Sequence, residues 1–106
     1  MTTIRYFPDE HRMEIKGHAG SAASGRDIVC AGISALTFAL LTAATDEPEL
    51  MTNVYISNDA AEVRVQCYPD EEHDATCREM FKTILAGYAN LADTYPEYVT
   101  IGGSNG

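Results

Sequence analysis

Lysine and arginine are scarce in this chain. Seven of them stand against 16 aspartates and glutamates in 106 residues, a net charge of -9. Binding a phosphate backbone requires clustered cations, so a direct nucleic-acid partner is excluded as an expectation. The three cysteines, Cys30, Cys67 and Cys77, include no CxxC. An odd set without paired spacing argues against a disulfide framework or a dithiol redox motif, and it suits reduced thiols in the cytoplasm. His11, His18 and His73 form no HxxxH pair and no metal-ligand spacing with the cysteines, so no metal is expected. No secretory apolar segment opens the chain, because "PDEHR" follows Met1–Phe7 at once. The run "IVCAGISALTFALLTAA" is short and broken by Ala and Thr, so no membrane span is expected. Repeats and linkers are also missing, which leaves one domain over 1–106.

Apolar residues make up 45% of the chain, enough for an ordered globule of this length. "TIRYF" and "RMEIKG" alternate and are joined by "PDEH", which predicts a β-hairpin. Val29, Ile33, Leu36, Leu40 and Ala44 repeat at helical spacing. They predict a helix that starts after Asp27 as N-cap and ends near Asp46, before Pro48. "NVYIS" and "AEVRVQCY" predict a second hairpin, with Val63 and Val65 on one face. Pro69 and "DEEHD" open a second predicted helix with the stripe Met80, Phe81, Ile84, Leu85, Tyr88 and Leu91. "EYVTI" closes the chain as a short strand. The order ββαββαβ predicts an α+β fold, with two helices packed on one face of a mainly antiparallel sheet.

Between the first hairpin and the first helix lies "GHAGSAASGRDIVC", residues 17–30. Its segment "GSAASGRD" has the two glycines of a phosphate loop. However, Arg26 stands at the lysine position and Asp27 at the metal-binding hydroxyl, where a carboxylate repels phosphate. His18 and Cys30 offer different chemistry. A cysteine in the first turn after Asp27 would lie near free backbone N–H groups, which stabilise a thiolate. An imidazole beside it would take the thiol proton and return it to a leaving amine. Asp27, Cys30 and Ser34 are spaced i, i+3, i+7 and share a helix face, so Ser34 could hydrogen-bond the thiol, the imidazole or a substrate carbonyl. Cysteines near helix starts and histidines at strand ends also occur as purely structural residues. Spacing alone leaves both alternatives open.

The block "GHAG...GRDIVCAGISAL" resembles the signature of the ribosomal-processing cysteine protease family, Prp or YsxB-like, and the likeness extends over essentially the whole chain. The resemblance implies a Cys–His dyad endopeptidase, with His18 as general base and Cys30 as nucleophile, and it implies no cofactor. Gly17, Asp27 and Ser34 match the motif's other characteristic positions. Ala19, Gly20, Ser21, Gly25 and Arg26 would belong to a loop that covers the substrate. Arg26 stands where lysine is common, and "SAAS" lacks an aromatic that many members carry there. Such enzymes form homodimers and remove the N-terminal extension of a large-subunit ribosomal protein. They cut after an aromatic residue and before a basic stretch. Related enzymes process phage capsid or scaffold proteins, and a non-catalytic dimeric interaction domain is the reading from another class.

Overall fold

The computed structural model describes residues 1–17 and 24–102, with the backbone alone at 24–27. Five strands form one sheet: β1 (Thr2–Phe7), β2 (Arg12–Lys16), β3 (Asn53–Ser57), β4 (Glu62–Gln66) and β5 (Val99–Ile101). Their order across the sheet is β3-β4-β2-β1-β5, and every neighbouring pair is antiparallel except the parallel β1 and β5. Alternation sets the register. Ile4 faces Ile15 and Tyr6 faces Met13 across β1–β2, and all four are buried. Shifting the pairing by one residue would turn these side chains to the solvent face. A 3-10 turn at Pro8–Glu10 joins the two strands. It ends at His11 in the left-handed region (φ 51), whose N–H bonds the Pro8 carbonyl at 3.2 Å.

Two helices cover the face that carries Ile4, Met13, Ile15 and Val65. They are α1 (Ser24–Thr45) and α2 (Asp74–Thr94). From α2 come the buried Cys77, Phe81, Ile84 and Tyr88, and from α1 Val29, Leu40 and Ala44. The helices approach closely at Gly87, where a Cβ would stand 2.5 Å from the Leu36 side chain. The ββαββαβ order is therefore as the periodicities predict, but both helix starts differ. α1 begins three residues before Asp27, so Asp27 is a residue of its first turn rather than its N-cap. α2 begins at Asp74 rather than near Pro69. Asp70 accepts hydrogen bonds from the backbone N–H (2.9 Å) and ring (2.6 Å) of His73, and this local turn competes with helix formation. Asp74 then bonds His11 Nε2 at 2.6 Å and Arg78 Nε at 2.9 Å, pinning the first hairpin to the start of α2.

Inside the helix pair, the Thr37 hydroxyl donates to the Ile33 carbonyl at 2.7 Å and meets the Tyr88 hydroxyl at 2.6 Å. Tyr88 is fully buried, and that burial pushes its phenol up to about 12. Because the folded value lies above the unfolded one, the resulting stability is present below pH 10. It is lost as pH rises from about 10 to 12, by ~3 kcal/mol at two units of difference. Tyr88→Phe is expected to cost about 1 kcal/mol at pH 7, since Thr37 keeps its carbonyl partner. It should also flatten the alkaline loss relative to wild type. Urea denaturation of both proteins at neutral and alkaline pH checks this; parallel pH curves would contradict it.

The residues of α1 from Ile28 to Thr45 have a mean hydropathy of 2.0, yet only 22% of that stretch is buried. By length and composition the stretch is able to cross a membrane. In the fold its inner side packs against α2 and the sheet, and its outer side remains uncovered.

Candidate active site

α1 carries Cys30 as its seventh residue, partly exposed and packed at the margin of the core. Successive helical residues turn by about 100°, so Cys30, Ser34 and Leu41 project from one side of α1, with Cys30 about 6 Å along the axis from Ser34. Ser34 and Leu41 line a groove of about 310 Å³ between α1 and the β3–β4 edge, and Cys30 lies outside its lining, one turn nearer the helix start. Ser34, Phe38 and Leu41 form its helical wall, and Ile56 and Val63 form its sheet wall. Ile56 and Val63 pair across β3–β4, and Val63 pairs with Ile15, so all three side chains share the helix-facing side of the sheet.

Gly17 lines the same groove from the end of β2. Its φ of +101° is a left-handed conformation that suits glycine, and its N–H donates to the Ala61 carbonyl at 2.7 Å. The Thr2 hydroxyl donates to its carbonyl at 3.3 Å. The chain is therefore held on both sides of Gly17, one residue before His18. Two motif positions far apart in sequence, Gly17 and Ser34, thus meet at one groove, with Cys30 one helical turn from Ser34.

His18, Ala19, Gly20 and Ser21 lie outside the described residues, as do the side chains of Arg26 and Asp27, while Gly25 is a backbone position in the first turn of α1. The early start of α1 corrects one expectation about Cys30. The free N–H groups of a helix belong to its first four residues, here 24–27, whereas the Cys30 N–H lies within the helical hydrogen-bond ladder. The dipole acts mainly within the first turn, so Cys30, in the second, gains less from it than a start after Asp27 implies. Helical side chains lean toward the N-terminus, and this carries the sulfur toward those free groups.

Residues 1–100 match the model of the family described as cysteine protease Prp. The chain belongs to this family. It is accordingly a cysteine protease. Among solved structures, the Prp-family fold recurs in the essential ribosomal processing protease Prp from S. aureus, determined with a covalently linked product peptide. That structure has a TM-score of 0.79 at 19% identity, covering 96% of this chain and 98% of that one. The same S. aureus protease with a substrate peptide gives a TM-score of 0.79 at 18% identity, over the same shares of the two chains. SMU.848 from Streptococcus mutans gives 0.71 at 26% identity, covering 94% of this chain and 89% of that one. Among curated proteins, none matches.

A Prp-family protease needs a thiol that a peptide can reach, and burial separates the three cysteines. Cys67, in the segment after β4, and Cys77, on the packed side of α2, are 1% and 0% exposed and serve as small apolar core residues. They are also hydrogen-bonded. Cys77 donates to Cys67, which, with Thr52 at 3.3 Å, draws the Cys67 thiol below its ordinary value against the opposing effect of burial. As the donor, Cys77 is pushed up. In the native protein, iodoacetamide is expected to modify Cys30 alone, and all three thiols should react in denaturant. Peptide mass mapping checks this, and native labelling of Cys67 or Cys77 at a rate equal to Cys30 would contradict it.

Sequence reasoning did not identify Phe38, Leu41 and Ile56 as groove walls. The available signal was the apolar Val54 and Ile56 of an edge strand facing the same way as Val63 and Val65. Among the described residues, Asp70, Glu72 and His73 bring three potential metal-donor atoms within 4.8 Å of one another. They form the turn before α2, where the Asp70 carboxylate is already engaged by His73.

Proposed function

We propose that the protein is a cytoplasmic, homodimeric endopeptidase that removes the N-terminal extension of a large-subunit ribosomal protein. Cys30 is the nucleophile and His18 the general base. The observation that carries this reading is that Cys30 is the partly exposed thiol, one helical turn from the groove residue Ser34, whereas the other two thiols are buried. His18 follows directly on Gly17 at the groove. It would take the Cys30 proton as sulfur attacks the scissile carbonyl, then deliver that proton to the leaving amine. Water then cleaves the thioester, with His18 again accepting a proton. The free N–H groups of residues 24–27 are the available donors for the oxyanion.

The S. aureus relatives are described as ribosomal processing proteases, and one is held with a substrate peptide. The apolar groove suits an aromatic side chain before the cut, and a net charge of -9 suits a basic stretch after it. The test is cleavage of a ribosomal-protein N-terminal peptide containing an aromatic residue followed by basic ones, against a phage capsid or scaffold peptide as competitor. Preference for the capsid peptide would reassign the substrate. Cleavage of neither, with Cys30 intact, would favour the non-catalytic interaction domain.

A further inference from the structure

Cys30, Ser34, Thr37, Leu41 and Thr45 follow one another at three- or four-residue steps, so they form one stripe along α1. Ser34, Thr37 and Leu41 line the groove described above, and Thr45 lines a second hollow of about 530 Å³ at the far end of the helix. Strand β3 joins the two, with Ile56 and Ser57 at the groove and Asn53 at the hollow. The trough between α1 and β3 therefore continues past the groove to the end of α1. From Cys30 to Thr45 the helix rises about 22 Å. An extended peptide spans that length in about seven residues.

The hollow has the chemistry of a cation site. Glu47 lines it, the neighbouring Asp46 and Glu49 are exposed, and no lysine or arginine lines it. The negative end of the α1 dipole falls here, and no basic residue occupies the last turn of α1 to offset it. Tyr68 and Met51, 56% and 66% exposed, supply an aromatic and a thioether wall. The Tyr68 backbone is fixed by its N–H, which donates to the Leu50 carbonyl at 2.7 Å. The cationic groups nearby are already engaged. Arg12, beside Asn53 on the other face of the sheet, pairs with Glu10 and Glu14, and His73, which Glu49 faces, is held by Asp70. An ammonium or guanidinium group over the Tyr68 ring and beside Glu47 would gain from both. A metal ion is the poorer occupant, because a single carboxylate lines the hollow.

We propose that this hollow is a subsite for a basic side chain of the substrate, about seven residues before the scissile bond. The inference rests on the proteolytic reading above, in which the groove holds the aromatic residue before the cut. The chain that precedes the cut then runs along the trough toward Thr45. Glu47 and Tyr68 would thus select substrates through a residue remote from the chemistry, in addition to the aromatic residue beside it.

Steady-state cleavage of a peptide series tests the subsite. Every peptide has an aromatic residue before the cut and the same basic stretch after it, and the seventh residue before the cut is lysine, alanine or glutamate. Exchanging that lysine for alanine should raise KM about five- to tenfold with kcat within about twofold, and glutamate should raise KM further. Moving the lysine to the third residue before the cut keeps the net charge and should give the KM of the alanine peptide. Glu47→Gln and Tyr68→Leu should each reduce the preference for lysine about threefold, and Glu47→Lys should reverse it in favour of glutamate. Both positions are exposed, so folding should persist, and circular dichroism verifies it. Equal KM values across the series would overturn the subsite and leave the protease reading intact. A lysine preference unchanged in Glu47→Lys would overturn its assignment to this hollow. Cleavage of no peptide would overturn the proteolytic reading, and fluorescence anisotropy of the same labelled peptides would then decide the subsite by itself. Equal dissociation constants for the lysine and glutamate peptides would overturn it, and tighter binding of lysine that is lost in Glu47→Lys would uphold it.

Discussion

Cys30→Ala is expected to reduce cleavage of a ribosomal-protein N-terminal peptide by on the order of 10⁴-fold or more, without loss of folding. The size follows from the chemistry. Without sulfur there is no acyl-enzyme, and the remaining groups can only position the peptide and polarise its carbonyl. Folding should persist because Cys30 sits at the core margin rather than within it, and alanine is a good helix former. His18→Ala should show a comparable deficit, and the double variant should be no worse than the poorer single, because nucleophile and base act as a unit. Turnover by Cys30→Ala equal to wild type, with the same thermal midpoint, would remove Cys30 from the mechanism. A large loss in Cys67→Ala or Cys77→Ala that matched a fall in stability would reflect the core instead.

Gly17→Ala is the second large effect expected, about 3 kcal/mol of stability together with a fall in kcat. Two independent costs meet at this position. A φ of +101° is strained for any residue with a Cβ, by on the order of 1–3 kcal/mol. The added carbon would also stand 2.4 Å from the Met1 carbonyl oxygen, a backbone atom. β1 cannot easily yield there, since the Thr2 N–H bonds the Tyr98 carbonyl at 2.8 Å and the Gly17 N–H bonds Ala61. Relief requires the chain to rotate at Gly17, and this would displace the residue that follows it, His18. Urea denaturation and peptide turnover measure the two consequences, with the exposed Lys16→Ala as the control. Stability within about 0.5 kcal/mol of wild type would show that the turn accommodates a side chain.

Much of this fold is legible in the residues. Ile4, Tyr6, Met13 and Ile15 alternate, and Val29, Leu40, Ala44, Phe81, Ile84 and Tyr88 follow helical spacing, because each element must present one apolar side to a common core. Helix starts were less legible. Asp27 is a good capping residue, yet α1 begins at Ser24. "DEEHD" is a good opening for a helix, yet Asp70 first closes a turn on His73. Local signals of about 1 kcal/mol are outweighed by where the rest of the chain places the segment.

By itself the sequence determined the element order, an uncharged run from Ile28 to Thr45, three cysteines without paired spacing, and a motif joining Gly17, His18, Asp27, Cys30 and Ser34. The tertiary structure set how far each thiol is buried. It also brought Gly17 to the groove beside Ser34, and left one side of α1 uncovered. The physical reason is that periodicity is local to one element. Burial is instead set by everything packed around a residue, so Cys67 and Cys77 vanish into the core through partners remote in the chain while Cys30 remains at its edge.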